Sequence, residues 1–434
     1  MDDHDAVADL SRAALDRRLD RSVASPIVVA FSGGGDSLAL LIGARRWARG
    51  AGRPLLVVTI DHRLQPGSAG WAHWCAEQAA RLGLAHRILP WEGEKPRVGI
   101  PAAARAARHG LLAQTARAAG ARVILTGHTA DDRLEARVMR QAGGSVPEPR
   151  EWTPSPLWPE GRGLFMLRPL LNIRRADIRV RLAETGETWL DDPANDDPRH
   201  PRVRARLHLA GGGDLLPEAA APAPCLDGLT IDPAGEITLG ARASRLLFLG
   251  PALLCASGSD RPPRRDRLDR LLARIEAGES FTATLAGARV ESHIAVLRIT
   301  REAGDIARAG AGSRPLPAGE TIVWDGRFEV VAKAEGLTIA PLAGLAARLD
   351  RGQRAALSRL SPAARKGLPA IVDGAGRVTA PLLVADERVS VRSLIADRFL
   401  AACGALANEA DALVRSGNAP DTLNRYPIRY EARA

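Results

Sequence analysis

The clearest hydrophobic pattern lies between residues 26 and 49, where an apolar run gives way abruptly to small and polar residues. Ile27 to Phe31 form the apolar run, and the hexapeptide SGGGDS at residues 32–37 follows it. From Leu38 to Arg49, apolar and polar positions then recur with the spacing of a helix. This order predicts a strand, a tight glycine-rich turn and a helix.

The same alternation continues to residue 141. Three further strands are predicted, at residues 55–60, 86–89 and 122–126. Other helices are predicted at residues 9–19, 70–82, 101–119 and 131–141. Alternating strands and helices favour an α/β fold with a doubly wound, mostly parallel, Rossmann-like sheet. Ligands of such sheets bind at the carboxyl ends of the strands.

The pattern after residue 142 is less regular. It predicts an irregular loop, a short strand, a basic helix and a polar, proline-broken segment, at residues 143–163, 164–171, 174–185 and 189–206. Three glycines at 211–213 and an Ala/Pro tract at 218–224 then interrupt the chain. We therefore predict two domains, residues 1–212 and 213–434.

The second half carries a weaker signal. Short strands are predicted at residues 226–239, 281–299, 321–331 and 370–379, with an apolar stretch at 241–256 and a helix at 265–277. These elements predict a smaller α+β region. It forms either one unit or two, the latter at residues 213–313 and 314–434.

The charge of the chain points to a partner. Its 434 residues carry a net charge of +10, and the sequence pI is near 10.4. This balance favours a polyanionic partner, most plausibly nucleic acid. Lysine occurs only at positions 95, 333 and 366. A genomic composition bias could explain the preference for arginine, but it leaves the net charge unexplained.

Cysteine usage and hydropathy indicate the compartment. The four cysteines at positions 75, 225, 255 and 403 lie far apart, and no CxxC pair predicts a zinc or iron–sulfur site. We find no apolar run of about 18 residues and no signal-peptide pattern. We therefore expect a cytoplasmic protein with no membrane association.

The hexapeptide at residues 32–37 has the composition of a phosphate-binding turn. Its glycines let the backbone approach a ligand closely, and the helix N-terminus that follows favours an anion. Its serines add hydroxyl donors, and Asp36 beside a phosphate suits an intervening Mg²⁺ ion. The lysine of a GxxxxGK[ST] loop is absent. The predicted ATP-binding residues are Ser32, Gly33, Gly34, Gly35, Asp36 and Ser37.

This hexapeptide resembles the pyrophosphate-binding loop of the PP-loop, or N-type, ATP pyrophosphatases. The resemblance implies ATP and Mg²⁺ as cofactors, with Asp36 placing the metal indirectly. Such enzymes split ATP into AMP and pyrophosphate to activate a carbonyl oxygen. A glycine-rich turn in an unrelated doubly wound domain is the alternative, although SGGxDS is far more restrictive than a lone GxGxxG.

A second group of candidate residues lies in GHTADDRLE, residues 127–135, at a predicted strand end and helix start. Asp131 and Asp132 could simply cap the helix and complement its dipole. Their strand end should also lie beside the phosphate loop, where carboxylates could hold Mg²⁺ or a cationic substrate. We interpret His62 and His128 as residues that shape the crevice or hydrogen-bond to phosphate, rather than as bases.

Five segments, in chain order, resemble the tRNA(Ile)-lysidine synthetase family. They are DHRL, ARAARH, GHTADDRLEA, RPLL and the segment from Trp189 to Arg206. The corresponding family patterns are DHGLR, ARxxRY, GHTADDQxET, RPLL and W-x-(E/D)-DPSN-x-D-x(4)-RNxIR. The resemblance covers about residues 26–206. The second half matches only at TLAG (284–287) and WDGRF (324–328). Departures from the family pattern are Arg63 for Gly, His109 for Tyr, Arg133 for Gln, Ala136 for Thr and Val203 for Asn. The linker at 207–227 also looks shortened.

The resemblance implies a two-step reaction on tRNA(Ile) with a CAU anticodon. The oxygen at position 2 of the wobble cytidine attacks the α-phosphate of ATP, and pyrophosphate leaves. The ε-amine of free L-lysine then attacks the adenylated carbon, and AMP leaves. The lysidine product changes the codon and amino-acid specificity from Met to Ile. The base must be unstacked to react, and the basic second half is expected to bind the tRNA elsewhere.

The resemblance also implies roles for individual residues. Residues 32–37 would hold pyrophosphate. Asp131 and Asp132 would hold the ammonium group of lysine or lower the cost of its deprotonation. Arg105 and Arg108 share a helix face and could neutralise charge on the phosphates, with an exposed basic face as the alternative.

Three further arginines are predicted to contact tRNA phosphates: Arg202, Arg204 and Arg206. A solvated run of charge is the alternative.

Rival functions remain open at this point. A tRNA thiolase could use the same ATP-splitting domain, although those that work through a cluster or persulfide need paired cysteines. Synthesis of GMP or NAD fits the basic charge less well. A non-catalytic, nucleotide-binding RNA-binding protein is the alternative from another class, which the intact aspartates disfavour.

Overall fold

The structure is a computed structural model. It describes residues 5–144, 146–191, 201–211, 225–240, 245–417 and 428–429. Gly212 and Gly213, the Ala/Pro tract at 218–224 and most of the shortened linker therefore lie outside the described residues. The same holds for residues 192–200, in the middle of the proline-broken segment.

A six-stranded sheet organises the first part of the chain. Its strands are β1 (Ile27–Ala30), β2 (Leu55–Asp61), β3 (Ala85–Pro90), β4 (Val123–Leu125), β5 (Trp152–Pro154) and β6 (Phe165–Leu167). Their order is β3-β2-β1-β4-β6-β5. Every neighbouring pair is parallel except β5 with β6. The predicted α/β fold with a mostly parallel sheet is confirmed.

Seven helices accompany this sheet in the described residues. They are α1 (Asp5–Arg18), α2 (Gly35–Ala51), α3 (Ser68–Arg81), α4 (Ile100–Ala118), α5 (Ala130–Gln141), α6 (Arg175–Glu184) and α7 (Pro201–Ala210). The first six fall where the apolar spacing predicts a helix. The central strand β1 is almost wholly buried, which explains why its sequence is a continuous apolar run.

One prediction for this region is wrong, and one helix was not predicted. The loop predicted at 143–163 contains strand β5, whose Trp152 stacks on Phe165 of β6 with ring centroids 4.8 Å apart. Three residues at a sheet edge, with proline and glycine on either side, are too few to show a period. Helix α7 begins inside the polar, proline-broken segment at 189–206, for which no helix was predicted, and continues to Ala210. Five of its ten residues are arginine or histidine or proline, so no apolar stripe marks it.

The second part of the chain is built from antiparallel strands and helices, in agreement with the predicted α+β region. Its strands are β7 (Leu229–Ile231), β8 (Ile237–Gly240), β9 (Phe281–Leu285), β10 (Ala288–Ser292), β11 (Val296–Arg301), β12 (Arg314–Leu316), β13 (Thr321–Trp324), β14 (Phe328–Ala332), β15 (Leu337–Pro341), β16 (Pro369–Val372), β17 (Val378–Thr379), β18 (Val389–Ser393) and β19 (Ile428–Arg429). Its helices are α8 (Arg245–Ser257), α9 (Arg265–Glu276), α10 (Ala303–Ile306), α11 (Arg351–Leu357), α12 (Pro362–Arg365) and α13 (Ile395–Ala402). The last helix of the described chain, α14 (Glu409–Gly417), belongs mostly to the first compact unit.

The two motif matches of the second half form one buried structural centre. Arg301 donates to the carbonyl oxygen of Gly287 and to the carboxylate of Asp325. Arg327 donates to the same carboxylate and to the carbonyl oxygen of Gly367. Asp325 has a φ of +51°, so the WDGRF match forms a tight left-handed turn. The residues of these motifs are therefore explained by the fold of this part.

The chain divides into two compact units. One comprises Met1–Ala221 with Leu406–Val414, and the other comprises Pro222–Ala405 with Arg415–Ala434. Within the first unit, Glu409 forms a buried ion pair with Arg53. The predicted boundary at residue 212 and the further division at 313 stay predictions. Among the described residues, no helix has both the length and the apolar character needed to cross a membrane.

Candidate active site

The turn between β1 and α2 requires a glycine at position 33. Gly33 has a φ of +83°, and a Cβ there would lie 2.8 Å from Leu190 Cδ1 and 3.1 Å from Cys75 Sγ. The Leu190 N–H also donates to the Gly33 carbonyl oxygen, at 3.0 Å. The turn is therefore fixed on one side by the segment that follows α6, which leaves its other side to a ligand.

The N-terminus of α2 has no side-chain cap. Gly34 occupies the N-cap position and has no side chain that could accept a hydrogen bond from the first-turn N–H groups. Ser37 donates its hydroxyl hydrogen to the Gly34 carbonyl oxygen at 2.8 Å, and Ser32 Oγ lies 3.2 Å from Ser37 Oγ. Uncapped N–H groups, a helix dipole and two hydroxyls form an anion site suited to phosphate.

Gly127 brings the end of β4 against this turn. A Cβ at Gly127 would lie 3.0 Å from the Ser37 backbone nitrogen and 3.1 Å from the carbonyl carbon and oxygen of Asp36. Backbone atoms cannot move aside as a flexible side chain can. Because only glycine permits this approach, the β4–α5 segment lies directly beside the phosphate turn.

Replacing Gly127 with alanine is expected to destabilise the protein by about 1–3 kcal/mol, because the new methyl group overpacks a backbone contact. Binding of an anion at the turn should weaken as well, since the turn and α5 are forced apart. Gly70→Ala in α3 is the matched control, because nothing lies within 4 Å of its added Cβ. Equal unfolding midpoints for Gly127→Ala and Gly70→Ala would contradict this role.

Four carboxylates meet at this point, and one arginine joins them. Arg175 Nε donates to Asp36 Oδ2 at 2.9 Å, and its Nη1 donates to Glu135 Oε1 at 3.3 Å. Its Nη2 lies 3.6 Å from Asp132 Oδ2, and its backbone N–H donates to Asp131 Oδ2 at 2.7 Å. The predicted residues Asp36, Asp131 and Asp132 are thus brought together.

Arg175 and Glu135 also belong to this site, although no local sequence pattern predicted a role for either. Both lay inside recognised segments, a basic helix and GHTADDRLEA, but no spacing rule relates Arg175 to Asp36. Glu135 is 2 % exposed and lies one helical turn after Asp132. That i, i+3 spacing was the available signal, because it places the two carboxylates on one face of α5.

The carboxylates differ in how their charge is balanced. Burial raises the pKa of Asp36 above its ordinary value, although Arg175 opposes the shift. Burial acts in the same direction on Asp131, but hydrogen bonds from the Arg175 N–H and the Arg174 side chain outweigh it, so its pKa is lowered. The pKa of Asp132 is also lowered, because His128, the Thr129 N–H and Arg202 together outweigh its burial.

Two of the arginines predicted to contact tRNA lie against these carboxylates. Arg202 Nη1 is 3.6 Å from Asp132 Oδ1, and Arg206 Nε is 3.1 Å from Glu135 Oε1. Arg204 lies between them on α7. The contact between α5 and α7 thus pairs acidic and basic faces, and the predicted phosphate contacts stay predictions.

Five basic side chains interact electrostatically, four of them with Asp132 and the fifth, His109, with the other four; we call them the basic cluster. They are Arg105, Arg108 and His109 of α4, His128 and Arg168. Burial lowers the pKa of Arg108 and of Arg168 to about 10 each, and neighbouring arginines add to the effect. Burial likewise lowers the pKa of His109 and of His128 to about 3 each, so both imidazoles are neutral near pH 7.

The remaining candidate histidine has a packing role. The His62 ring meets the Trp91 ring edge-on at 6.1 Å, and burial and Arg108 lower its pKa. The next residue, Arg63, has a φ of +52°, which explains why a glycine is expected there. Its N–H donates to Asp61 Oδ1 at 2.9 Å, a contact that supports the turn.

The donor set fits an indirectly held Mg²⁺ ion. Magnesium in proteins is typically held by one or two carboxylates together with substrate phosphates and water. Asp36 is a half-buried carboxylate two residues after the N-cap of α2, beside the phosphate turn. Among the described residues, no group of three or more His, Cys, Asp and Glu side chains forms a protein-only metal site.

Comparison with known proteins agrees with this geometry. Residues 9–211 match the family model described as a PP-loop domain. The protein is 51 % identical to a tRNA(Ile)-lysidine synthase of Caulobacter vibrioides over 410 residues, which cover 93 % of this chain and 99 % of that protein. It is 38 % identical to the protein of the same name from Hyphomonas neptunium, covering 74 % of this chain and 93 % of the other. With the one from Mesorhizobium japonicum it shares 35 % identity, over 79 % of this chain and 81 % of the other.

Proposed function

The chain belongs to the tRNA(Ile)-lysidine synthase family of ATP-dependent tRNA-modifying ligases, and from that membership we propose its full reaction. It joins free L-lysine to position 2 of the wobble cytidine of a CAU-anticodon tRNA(Ile). The cytidine oxygen first attacks the α-phosphate of ATP and releases pyrophosphate. The ε-amine of lysine then attacks the adenylated carbon and releases AMP.

One observation supports this proposal above the others. The close approach at Gly127 brings an uncapped helix N-terminus and a carboxylate cluster to the same point. The first suits the phosphates of ATP, and the second suits the ammonium group of lysine. A reaction that joins an adenylated base to an amine needs both kinds of site side by side.

On the ATP side, residues 32–37 bind the pyrophosphate portion through backbone N–H groups and the two serine hydroxyls. Asp36 holds Mg²⁺ indirectly, and the ion, when bound, supplies positive charge that offsets the charge of the phosphates. Arg105 and Arg108 act at the α-phosphate. Neither guanidinium has an ion-pair partner within 4 Å among the described residues, so both are available to an anion.

On the lysine side, Asp132 is a better candidate than Asp131. Asp131 accepts hydrogen bonds from the Arg174 side chain and the Arg175 N–H, which fasten α5 to α6. Asp132 is 7 % exposed and stays ionised, because its pKa is lowered. Its carboxylate, together with that of Glu135, can hold an ammonium group near the reacting carbon.

The rest of the tRNA needs contacts away from the anticodon. We assign these to Arg202, Arg204 and Arg206 and to the second half of the chain, residues 213–434. Phosphate contacts of this kind position the substrate and contribute most of the affinity. A tRNA substrate supports a cytoplasmic location for the proposed reaction.

A thiolase reaction fits the site less well. Cys75 is the one cysteine of the first unit, and it is buried against the turn. Burial raises the pKa of its thiol to about 11, so the nucleophilic thiolate is disfavoured.

Exchange of labelled pyrophosphate into ATP tests the adenylation step. We expect exchange that requires the unmodified tRNA(Ile) and does not require lysine. Lysine-independent exchange without any tRNA would point to adenylation of a different acceptor, and no exchange under any condition would contradict the proposal.

A further inference from the structure

Two buried nitrogen atoms of the basic cluster have no hydrogen-bond partner. Arg168 is 7 % exposed and His109 is 6 % exposed. Arg168 Nε and His109 Nε2 are both buried, and neither makes a hydrogen bond. A buried polar atom without a partner costs about 1–3 kcal/mol, so a ligand that satisfies both would recover that cost.

Arg168 is held rigidly enough to form a binding site. Its Nη1 donates to the Arg150 carbonyl oxygen at 2.8 Å and to Thr153 Oγ1 at 3.0 Å. These bonds anchor the guanidinium to the β5 edge of the sheet. An arginine fixed in this way loses little side-chain entropy when an oxyanion binds.

The charge around these atoms favours an anion. Besides burial, Arg105 lowers the pKa of Arg108 and of Arg168, and Asp132 is the carboxylate that opposes the lowered pKa of all three arginines. Asp132 is itself shared with Arg175 and Arg202. The cluster therefore keeps a surplus of positive charge beside the two buried side chains, and this charge favours an oxyanion.

We propose that His109 and Arg168 form a phosphate site, separate from the turn at residues 32–37, which takes a backbone phosphodiester of the bound tRNA. This inference rests on the proposed function. The reaction brings the cytidine base to the α-phosphate, and the nucleotide's own backbone phosphate lies only one ribose away from that base. Two phosphates must then be held close together, and the turn with Arg105 and Arg108 accounts only for those of ATP.

The chemistry of each group suits this occupant. A phosphodiester carries one negative charge and offers two free oxygens. The Arg168 guanidinium matches that charge, and a neutral His109 with its hydrogen on Nε2 donates to one oxygen. The phosphates of ATP share this chemistry, so the test must separate the two sources.

Binding of each ligand alone separates them. The affinity of the full chain for unmodified tRNA(Ile) is measured without ATP, and its affinity for ATP without tRNA. The variants are Arg168→Met and His109→Leu, with Arg168→Lys to restore the charge. Arg117→Met is the matched control. Arg117 lies on α4, as His109 does, and it donates to the Arg162 carbonyl oxygen, outside the cluster.

We expect Arg168→Met and His109→Leu to weaken tRNA binding by about 10- to 100-fold, as loss of a charge-assisted bond predicts. Arg168→Met should also reduce the slope of log affinity against log salt by about one. Arg168→Lys should recover part of the affinity, while ATP binding and the control stay unchanged. If Arg168→Met lowers the melting temperature, the tRNA affinity of His109→Leu decides the question, because that variant leaves the hydrogen bonds of Arg168 to Arg150 and Thr153 in place.

Other outcomes would overturn the inference. Weaker ATP binding with unchanged tRNA binding would assign the site to the nucleotide, and equal losses for both ligands would deny a separate site. Unchanged binding of both would remove the site altogether. Lysine incorporation by the wild-type chain tests the proposed function independently. If the wild type incorporates lysine and the variants bind tRNA normally, the inference about His109 and Arg168 is wrong and the proposed function stands.

Discussion

Replacing Asp36 with asparagine is expected to reduce lysine incorporation by at least about 100-fold, a loss typical of removing one preorganised electrostatic group. Asp36 lies at the start of α2, beside the phosphate turn and 2.9 Å from Arg175 Nε. The amide keeps the shape of the side chain and can still accept a hydrogen bond from Arg175. It loses the negative charge, and with it the means to hold Mg²⁺ next to the phosphates.

The substitution should separate chemistry from binding. We expect tRNA affinity without ATP to stay close to that of the wild type, because Asp36 has no proposed contact with tRNA. Asp9→Asn is the matched control, an exposed carboxylate on α1 that pairs only with Arg12 in the described residues. Turnover of Asp36→Asn within a few-fold of wild type would contradict the role of Asp36 in holding Mg²⁺ and the assignment of residues 32–37 as the pyrophosphate site.

Replacing Glu409 with alanine is expected to destabilise the first unit by about 3–5 kcal/mol, the cost of leaving a buried charge unpaired. Both side chains of the Arg53–Glu409 pair are 1 % exposed, and the two bonds measure 2.6 and 3.0 Å. Glu409 also accepts the Asp20 N–H at 3.0 Å. Arg53 would keep only the carbonyl oxygens of Ser25 and Asp20.

Chemical denaturation of the purified variants measures this effect. Asp269→Ala provides the control, because its ion pair with Arg265 is exposed and should contribute less than about 1 kcal/mol. Equal stability of Glu409→Ala and the wild type would show that the pair is dispensable. The pair also explains why cutting the chain after the first domain would be a poor test of the second half. That cut removes Glu409 and leaves Arg53 buried without its partner.

Local patterns in the sequence predicted most of the sheet. Apolar runs such as Ile27 to Phe31 coincide with buried strands, because a parallel strand buried on both faces must be apolar throughout. The turn at 32–37 and the β4–α5 segment were predicted to meet, since both follow neighbouring parallel strands. The structure brings them together through Gly127, whose importance depends on a tertiary contact that no local pattern reveals.

The contacts that sequence analysis missed join distant parts of the chain. Arg175 reaches Asp36 across 139 positions, and Arg53 reaches Glu409 across 356. Arg168 was recognised as part of RPLL, but its hydrogen bonds to the β5 region could not be inferred. Helix α7 was missed because its surface is basic on several sides, and what fixes it is the carboxylate face of α5.

Incorporation of labelled lysine into an unmodified CAU-anticodon isoleucine tRNA, with ATP and Mg²⁺, tests the central claim most directly. The account predicts incorporation into that tRNA and none into the methionine tRNA with the same anticodon, with one AMP formed for each lysine attached. Cleavage of ATP that depends on this tRNA but attaches no lysine would contradict the claim and would mean that the adenylated base meets a different nucleophile.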